Sequence, residues 1–202
     1  MRPPVGPVDH SSSDEARAAL VRELRAHALV LGDVTLTSGA VASYYVDAKR
    51  AILRPAGFRA LGALVAAEVT ARAATAVGGL TMGADPVACA ALATAAGAAS
   101  QRNELKAFFV RKERKTHGLQ RAIEGPPLEP GERCLIVEDV VTTGGSTLRA
   151  IKAVTDAGHE ICGVVAVLDR LAGGAEAIER AAGAPFLALT TIDDVYPDRP
   201  DR

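Results

Sequence analysis

Tryptophan is absent from this chain, and aromatic residues make up only 3% of its 202 positions. Neither charge is in surplus: 23 Lys and Arg stand against 24 Asp and Glu, a formal net charge of −1. Nucleic-acid surfaces usually need an excess of Lys and Arg, so no nucleic-acid partner is expected. No charge-free apolar run is long enough to span a membrane, and the N-terminus carries no signal-peptide pattern, so no membrane partner is expected. Cysteine is scarce. Cys89, Cys134 and Cys162 lack Cys-x-x-Cys spacing and sit in apolar sequence, so they read as small core residues in a reducing, cytoplasmic compartment. His10, His27 and His159 have no neighbours at metal-ligand spacing and read as structural or surface residues. No two glycines stand one residue apart, which excludes a Gly-x-Gly-x-x-Gly fingerprint, and no Gly-Lys pair exists, which excludes a Walker A loop.

Apolar residues make up 49% of the chain, enough for a substantial core in one α/β domain. Residues 1–13 are Pro-rich and polar, and are expected to be a disordered tail before a single domain at 14–202. Ser13 is the expected N-cap of a helix to about Val30, ended by Gly32. A hairpin follows, Val34–Thr37 and Ser43–Asp47 around Ser38-Gly39. It holds Tyr44 and Tyr45, which read either as one ring in and one out or as a flat wall for a planar ligand. Next come a helix over Pro55–Arg72, a strand at Ala76–Leu80, the turn Thr81–Pro86 and a helix over Val87–Ala99. Strands are expected at Ala107–Val110, Cys134–Val137, Ile161–Leu168 and Phe186–Leu189, with a helix near Ala175–Ala182. Continuously apolar strands alternating with helices predict a parallel sheet covered on both faces. In such sheets ligands bind beyond the carboxyl ends of the strands, which is where Thr81, Arg111, Glu138, Asp139 and Arg170 collect.

The chain is organised around Cys134–Thr147. The apolar run Cys134–Val137 meets two adjacent carboxylates, Glu138 and Asp139, which are costly at a buried strand end unless they have partners or solvent. Six small residues then lead into a helix marked by Leu148, Ile151 and Val154. Gly144 and Gly145 let the backbone turn close to a ligand. Free N–H groups at the helix start suit a phosphate, the hydroxyls of Thr142, Thr143, Ser146 and Thr147 add donors, and the carboxylates accept from sugar hydroxyls. A sugar phosphate fits this order of groups.

A second informative stretch is Arg111–Gly118, where five of eight residues can carry positive charge. On charge alone it reads as a solvated run. It opens a segment without clear periodicity, to Gly131, that has the form of a long surface loop.

Residues Glu138 to Ser146 resemble the phosphoribosyl pyrophosphate (PRPP) motif of the type I phosphoribosyltransferases. The hairpin Ser38-Gly39 to Asp47 and the loop Arg-Lys-x-x-Lys-x-His-Gly resemble segments of the orotate-using branch of that family. The resemblance spans about residues 30–170 and implies a type I phosphoribosyltransferase-like fold: a parallel sheet flanked by helices, with a small N-terminal hood at about 14–55 and a core at about 56–190. It also implies transfer of phosphoribose from PRPP to orotate in pyrimidine (UMP) synthesis. Carried onto this chain, PRPP binding falls to Arg111, Lys112, Lys115, His117, Glu138, Asp139, Val140, Val141, Thr142, Thr143, Gly144, Gly145 and Ser146. Lys115, His117 and Asp139 are the implied catalytic residues, and Thr142, Arg170, Tyr44 and Tyr45 the orotate contacts. Mg²⁺ is the implied cofactor, held mainly by PRPP with no direct protein ligand. A homodimer sharing loop 111–118 across its interface is implied too. Thr37 and Gly83 stand where many members carry lysines. Two other readings of the fold are a transferase for a purine or uracil and a non-catalytic RNA-binding regulator, which would need a basic face and a damaged loop.

Overall fold

The computed structural model describes residues 10–35, 41–97, 105–112 and 122–202. The chain opens with helix α1 (His10–His27), then a two-stranded antiparallel unit of β1 (Leu29–Thr35) and β2 (Val41–Val46), and a short helix α2 (Lys49–Ile52). The core follows as α3 (Pro55–Ala71), β3 (Ala76–Leu80), α4 (Asp85–Gly97), β4 (Lys106–Val110), β5 (Ile123–Glu124), β6 (Arg133–Val141), α5 (Gly145–Asp156), β7 (Glu160–Asp169), α6 (Gly174–Ala182), β8 (Phe186–Thr191) and α7 (Ile192–Val195). Six strands form one sheet in the order β5-β4-β3-β6-β7-β8. All neighbours are parallel except β5, which runs antiparallel to β4 at the edge.

Alternate residues of each central strand feed two separate cores. Leu135 and Val137 of β6 join Leu61, Val65 and Val87 from α3 and α4 on one face. Cys134 and Ile136 join Ile151, Val154 and Ile178 from α5 and α6 on the other. Both faces are therefore dry, which is why these strands read as unbroken apolar runs rather than as alternation. Truncating Leu135 or Ile136 to Ala, each fully buried, is expected to cost about 2–5 kcal/mol through lost transfer energy and an unfilled cavity.

Several sequence boundaries move. The first helix starts at His10, so residues 10–13 belong to it and not to a tail, while residues 1–9 lie outside the described set. It stops at His27, and Leu29, Val30 and Gly32 lie in β1. The apolar face Leu20, Leu24 and Ala28 fits a helix in this region, but past Ala28 pairing with β2 outcompetes further helix. The 118–131 segment is not wholly irregular, because Ile123 and Glu124 pair with Val110 and Phe109. Cys89 is exposed on α4 and Cys162 is half-buried, so only Cys134 is a fully buried core thiol. Burial pushes the Cys134 thiol up to about 12, which leaves it unreactive. Among the described residues no helix is long and apolar enough to cross a membrane.

The segment past β8 ties α1 to the edge of the sheet. Arg17 pairs with Asp194 at 2.7 Å and donates to the Leu189 carbonyl at 3.1 Å, while Arg25 donates to the Asp194 carbonyl at 2.6 Å. Asp194 also closes the capping box of α7 with Thr191. Although burial works the other way, these bonds from Thr191 and Arg17 hold its carboxyl below the ordinary range. The rings of Tyr44 and Tyr196 meet edge to face at 5.3 Å.

Candidate active site

The carboxyl ends of β3, β4, β6 and β7 converge on one edge of the sheet, as their parallel pairing requires. Strand β6 does not stop at Val137. It runs through the acidic pair to Val141, with Glu138 opposite Ala166 and Val141 opposite Asp169. The two carboxylates therefore stand on a rigid strand, and both are buried, at 3% and 8% exposure. Glu138 accepts from the Thr147 hydroxyl at 3.3 Å and from the Asp139 amide at 3.3 Å. Asp139 accepts from the Val140 amide at 2.8 Å and from the Lys49 ammonium at 2.7 Å. Burial pushes the Glu138 carboxyl up to about 7. The negative charge of Asp139 adds to the rise, and the Ser146 hydroxyl works against it.

Beyond β6 the chain turns through Gly144, whose φ of 82° is a left-handed conformation that side chains resist, and α5 begins at Gly145. Val140, Thr142, Thr143, Gly144, Gly145 and Ser146 line a cavity of about 360 Å³ at this helix start. Arg149, one turn into α5, lines it too. The helix N-terminus and the hydroxyls favour an anion there, and Arg149 adds a full charge. The Val141 side chain is buried in the core, and its carbonyl accepts from the Arg170 amide at 2.8 Å, so it braces the cradle without lining it.

At the end of β7, Arg170 donates to the Tyr44 hydroxyl at 2.9 Å and stands 3.9 Å from the Asp201 carboxylate. Its guanidinium lies 4.9 Å from the centre of the Tyr44 ring. Tyr44 in turn donates to Asp201, at 3.0 Å to one carboxylate oxygen. Tyr44 is buried and Tyr45 is 40% exposed, so the rings point to opposite sides of β2 and do not make one wall. Arg111, just past β4, is ion-paired with Glu124 of the edge strand at 3.0 Å, and Lys112 is exposed. Thr81 donates its hydroxyl to Asp85 at 2.8 Å and its amide to the Val110 carbonyl at 2.9 Å. Lys115, His117, Thr37 and the Ser38-Gly39 turn lie outside the described residues.

The structure thus brings together Glu138, Asp139, the 142–146 loop, Arg170 and Tyr44, and sets Tyr45 and Arg111 apart from the acid pair's contacts. Two cations escaped the sequence reading. Arg149 is detectable as a positive residue one turn past a phosphate-type loop. Lys49 carries no local signal, because only the fold brings the start of α2 to a strand 90 residues away.

A buried acid pair, a hydroxyl-rich cradle and a helix start at one edge of a parallel sheet define a sugar-phosphate-binding α/β protein, and residues 66–181 match the phosphoribosyl transferase domain. The chain is 49% identical over 173 residues to the orotate phosphoribosyltransferase of Streptomyces avermitilis, covering 86% of this chain and 93% of that one. It therefore belongs to the orotate phosphoribosyltransferase family. Among solved structures, the Mycobacterium tuberculosis orotate phosphoribosyltransferase in complex with Fe(III) dicitrate superposes with a TM-score of 0.76 at 44% identity, over 90% of this chain and 99% of that one. The same enzyme in complex with PRPP superposes with a TM-score of 0.69 at 34% identity, over 91% and 96%.

Proposed function

We propose that the protein transfers the 5-phosphoribosyl group of PRPP to orotate, giving orotidine 5′-monophosphate and pyrophosphate for UMP synthesis. The observation that carries this reading is the order of groups on β6: a buried acid pair, then a hydroxyl loop, then a helix start. The 5′-phosphate sits in the 142–146 cradle beside Arg149. Glu138 and Asp139 accept from the ribose hydroxyls. The C1–oxygen bond to pyrophosphate breaks ahead of attack by orotate N1, and the carboxylates steady the positive charge that develops on the ring. Arg170 receives the carboxylate of orotate, a bidentate match for a guanidinium. That Arg170 already faces the carboxylate of Asp201 supports this role.

The carboxylate and hydroxyl oxygens at this edge would suit a hard cation, and Mg²⁺ held mainly by PRPP would neutralise the leaving pyrophosphate. Loop 111–118 serves the pyrophosphate through Lys112, Lys115 and His117, and it does so across a homodimer interface. Three free thiols fit a reducing compartment, and we assign the enzyme to the cytoplasm. The test is pyrophosphate release from PRPP with orotate, uracil, adenine and hypoxanthine offered separately. Orotate alone should support turnover, and turnover with another base in preference to orotate overturns the reading.

A further inference from the structure

We propose that Lys49 is a positioning residue of the sugar-phosphate site, pinning the Asp139 carboxylate in an ion pair so that a proton taken up by the acid pair rests on Glu138. The inference deepens the transferase reading and rests on it for its catalytic consequence.

The two carboxylates are adjacent and buried, yet their partners are unequal. Asp139 meets the Lys49 ammonium at 2.7 Å and a backbone amide at 2.8 Å. Glu138 meets the Thr147 and Ser146 hydroxyls and an amide, and no cation of the described residues pairs with it. An ammonium contact stabilises an anion more than neutral donors do, and Glu138 has no such contact among the described residues, so Glu138 is the member that takes the proton. Lys49 is aimed at this task. Its amide donates to Asp47 at 3.2 Å, and its ammonium reaches the same carboxylate oxygen at 3.2 Å, so the residue is fixed at both ends. Gly83 of the β3–α4 loop packs directly against the pair, since a Cβ there would meet Glu138 Oε1 at 2.7 Å and crowd Asp139 as well.

The charged groups on the neighbouring elements turn elsewhere. Asp85 accepts from Thr81, and Asp169 accepts from the Leu171 amide. Titration tendencies agree with the geometry. Burial works against the charge on Lys49, but Asp139 and Asp47 outweigh it and hold the ammonium above the ordinary lysine range. The Glu138 carboxyl lies well above the ordinary carboxylate range.

The experiment compares wild type, Lys49→Met and Lys49→Arg. Carbon-13 NMR of labelled side-chain carboxyls in the ligand-free protein follows the titration of the acid pair without reference to turnover. A parallel pH profile of kcat/KM for PRPP reads the catalytic consequence. In Lys49→Met the titration midpoint near 7 and the acid limb of the profile should both move up by roughly one pH unit. Lys49→Arg should restore both. Unmoved midpoints in Lys49→Met, or Arg behaving like Met, overturn the proposal. If Lys49→Met does not fold, nitrogen-15 NMR of the lysine ammonium groups in Asp139→Asn gives the reciprocal reading. Lys49 should then titrate lower than in wild type, and no change overturns the ion-pair assignment. A normal carboxyl shift in a protein that fails to use orotate refutes the transferase reading and leaves the positioning role intact.

Discussion

Glu138 stores a pH-dependent cost in the fold. Its carboxyl titrates at about 7 in the native protein against an ordinary 4.5. Below about pH 4.5 both native and unfolded chains hold this proton, and the group is neutral to stability. As pH rises from 4.5 to about 7, the unfolded chain releases the proton and the native chain keeps it, so stability falls. Above about 7 the full cost is present. At about 1.4 kcal/mol per unit, the gap amounts to about 3 kcal/mol. Glu138→Gln keeps the shape, keeps an acceptor for Thr147 and cannot ionise. Urea unfolding of both proteins at a series of pH values reads the term, since titrating groups remote from the acid pair largely cancel. The variant should match wild type near pH 4.5 and gain stability over it as pH rises, approaching about 3 kcal/mol near pH 8. A difference that stays flat with pH, or a wild type more stable near pH 8, refutes the burial argument. The same variant should lose much of its ability to use PRPP, because stability and the ribose binding proposed for this residue make opposite demands on it.

Other substitutions test separate parts of the site. Arg170→Ala should weaken orotate use roughly ten- to a hundredfold in kcat/KM while leaving PRPP binding by calorimetry nearly unchanged, and equal loss with orotate and uracil would deny it the carboxylate. Gly83→Ala should lower kcat and weaken PRPP binding, since its methyl presses on an Asp139 already held by Lys49 and the Val140 amide; a fully active variant would show that this loop yields freely. Mixing an inactive Lys115→Ala, His117→Ala chain with an inactive Asp139→Asn chain should restore about a quarter of wild-type activity per site if the loop acts across the dimer, and persistent inactivity with heterodimers present would sink the shared site.

The sheet and its ligand edge were legible in the sequence because each central strand is apolar on both faces and each loop after it is polar. The acid pair and cradle were legible because their chemistry is contiguous over nine residues. Helix and strand limits around 10–35 were less so. Leu29 to Val34 fits either state locally, and only pairing with β2 decides it. Strand β5 is two residues long and has no pattern of its own. Strand β6 outlasts its apolar run because Glu138 and Asp139 find partners on α5 and α2, the second of them 90 residues away. Tyr44 joins Arg170 through a contact spanning 126 residues, which leaves no trace in spacing.

The strap formed by the segment past β8 sets an order of events during synthesis. The phosphate cradle is built from neighbours, β6 and α5, which can assemble as soon as the central strands have emerged. The base pocket proposed around Arg170 and Tyr44 is different. Tyr44 waits for Asp201, which lies 157 positions downstream, and the tie of α1 to the strap waits for Asp194, which lies 177 positions beyond Arg17. Contacts that close such long loops form late, after the local ones that nucleate the sheet. On the proposed roles, the growing chain therefore assembles its phosphate cradle well before it closes the enclosure around the base, and selectivity is the last property the polypeptide acquires.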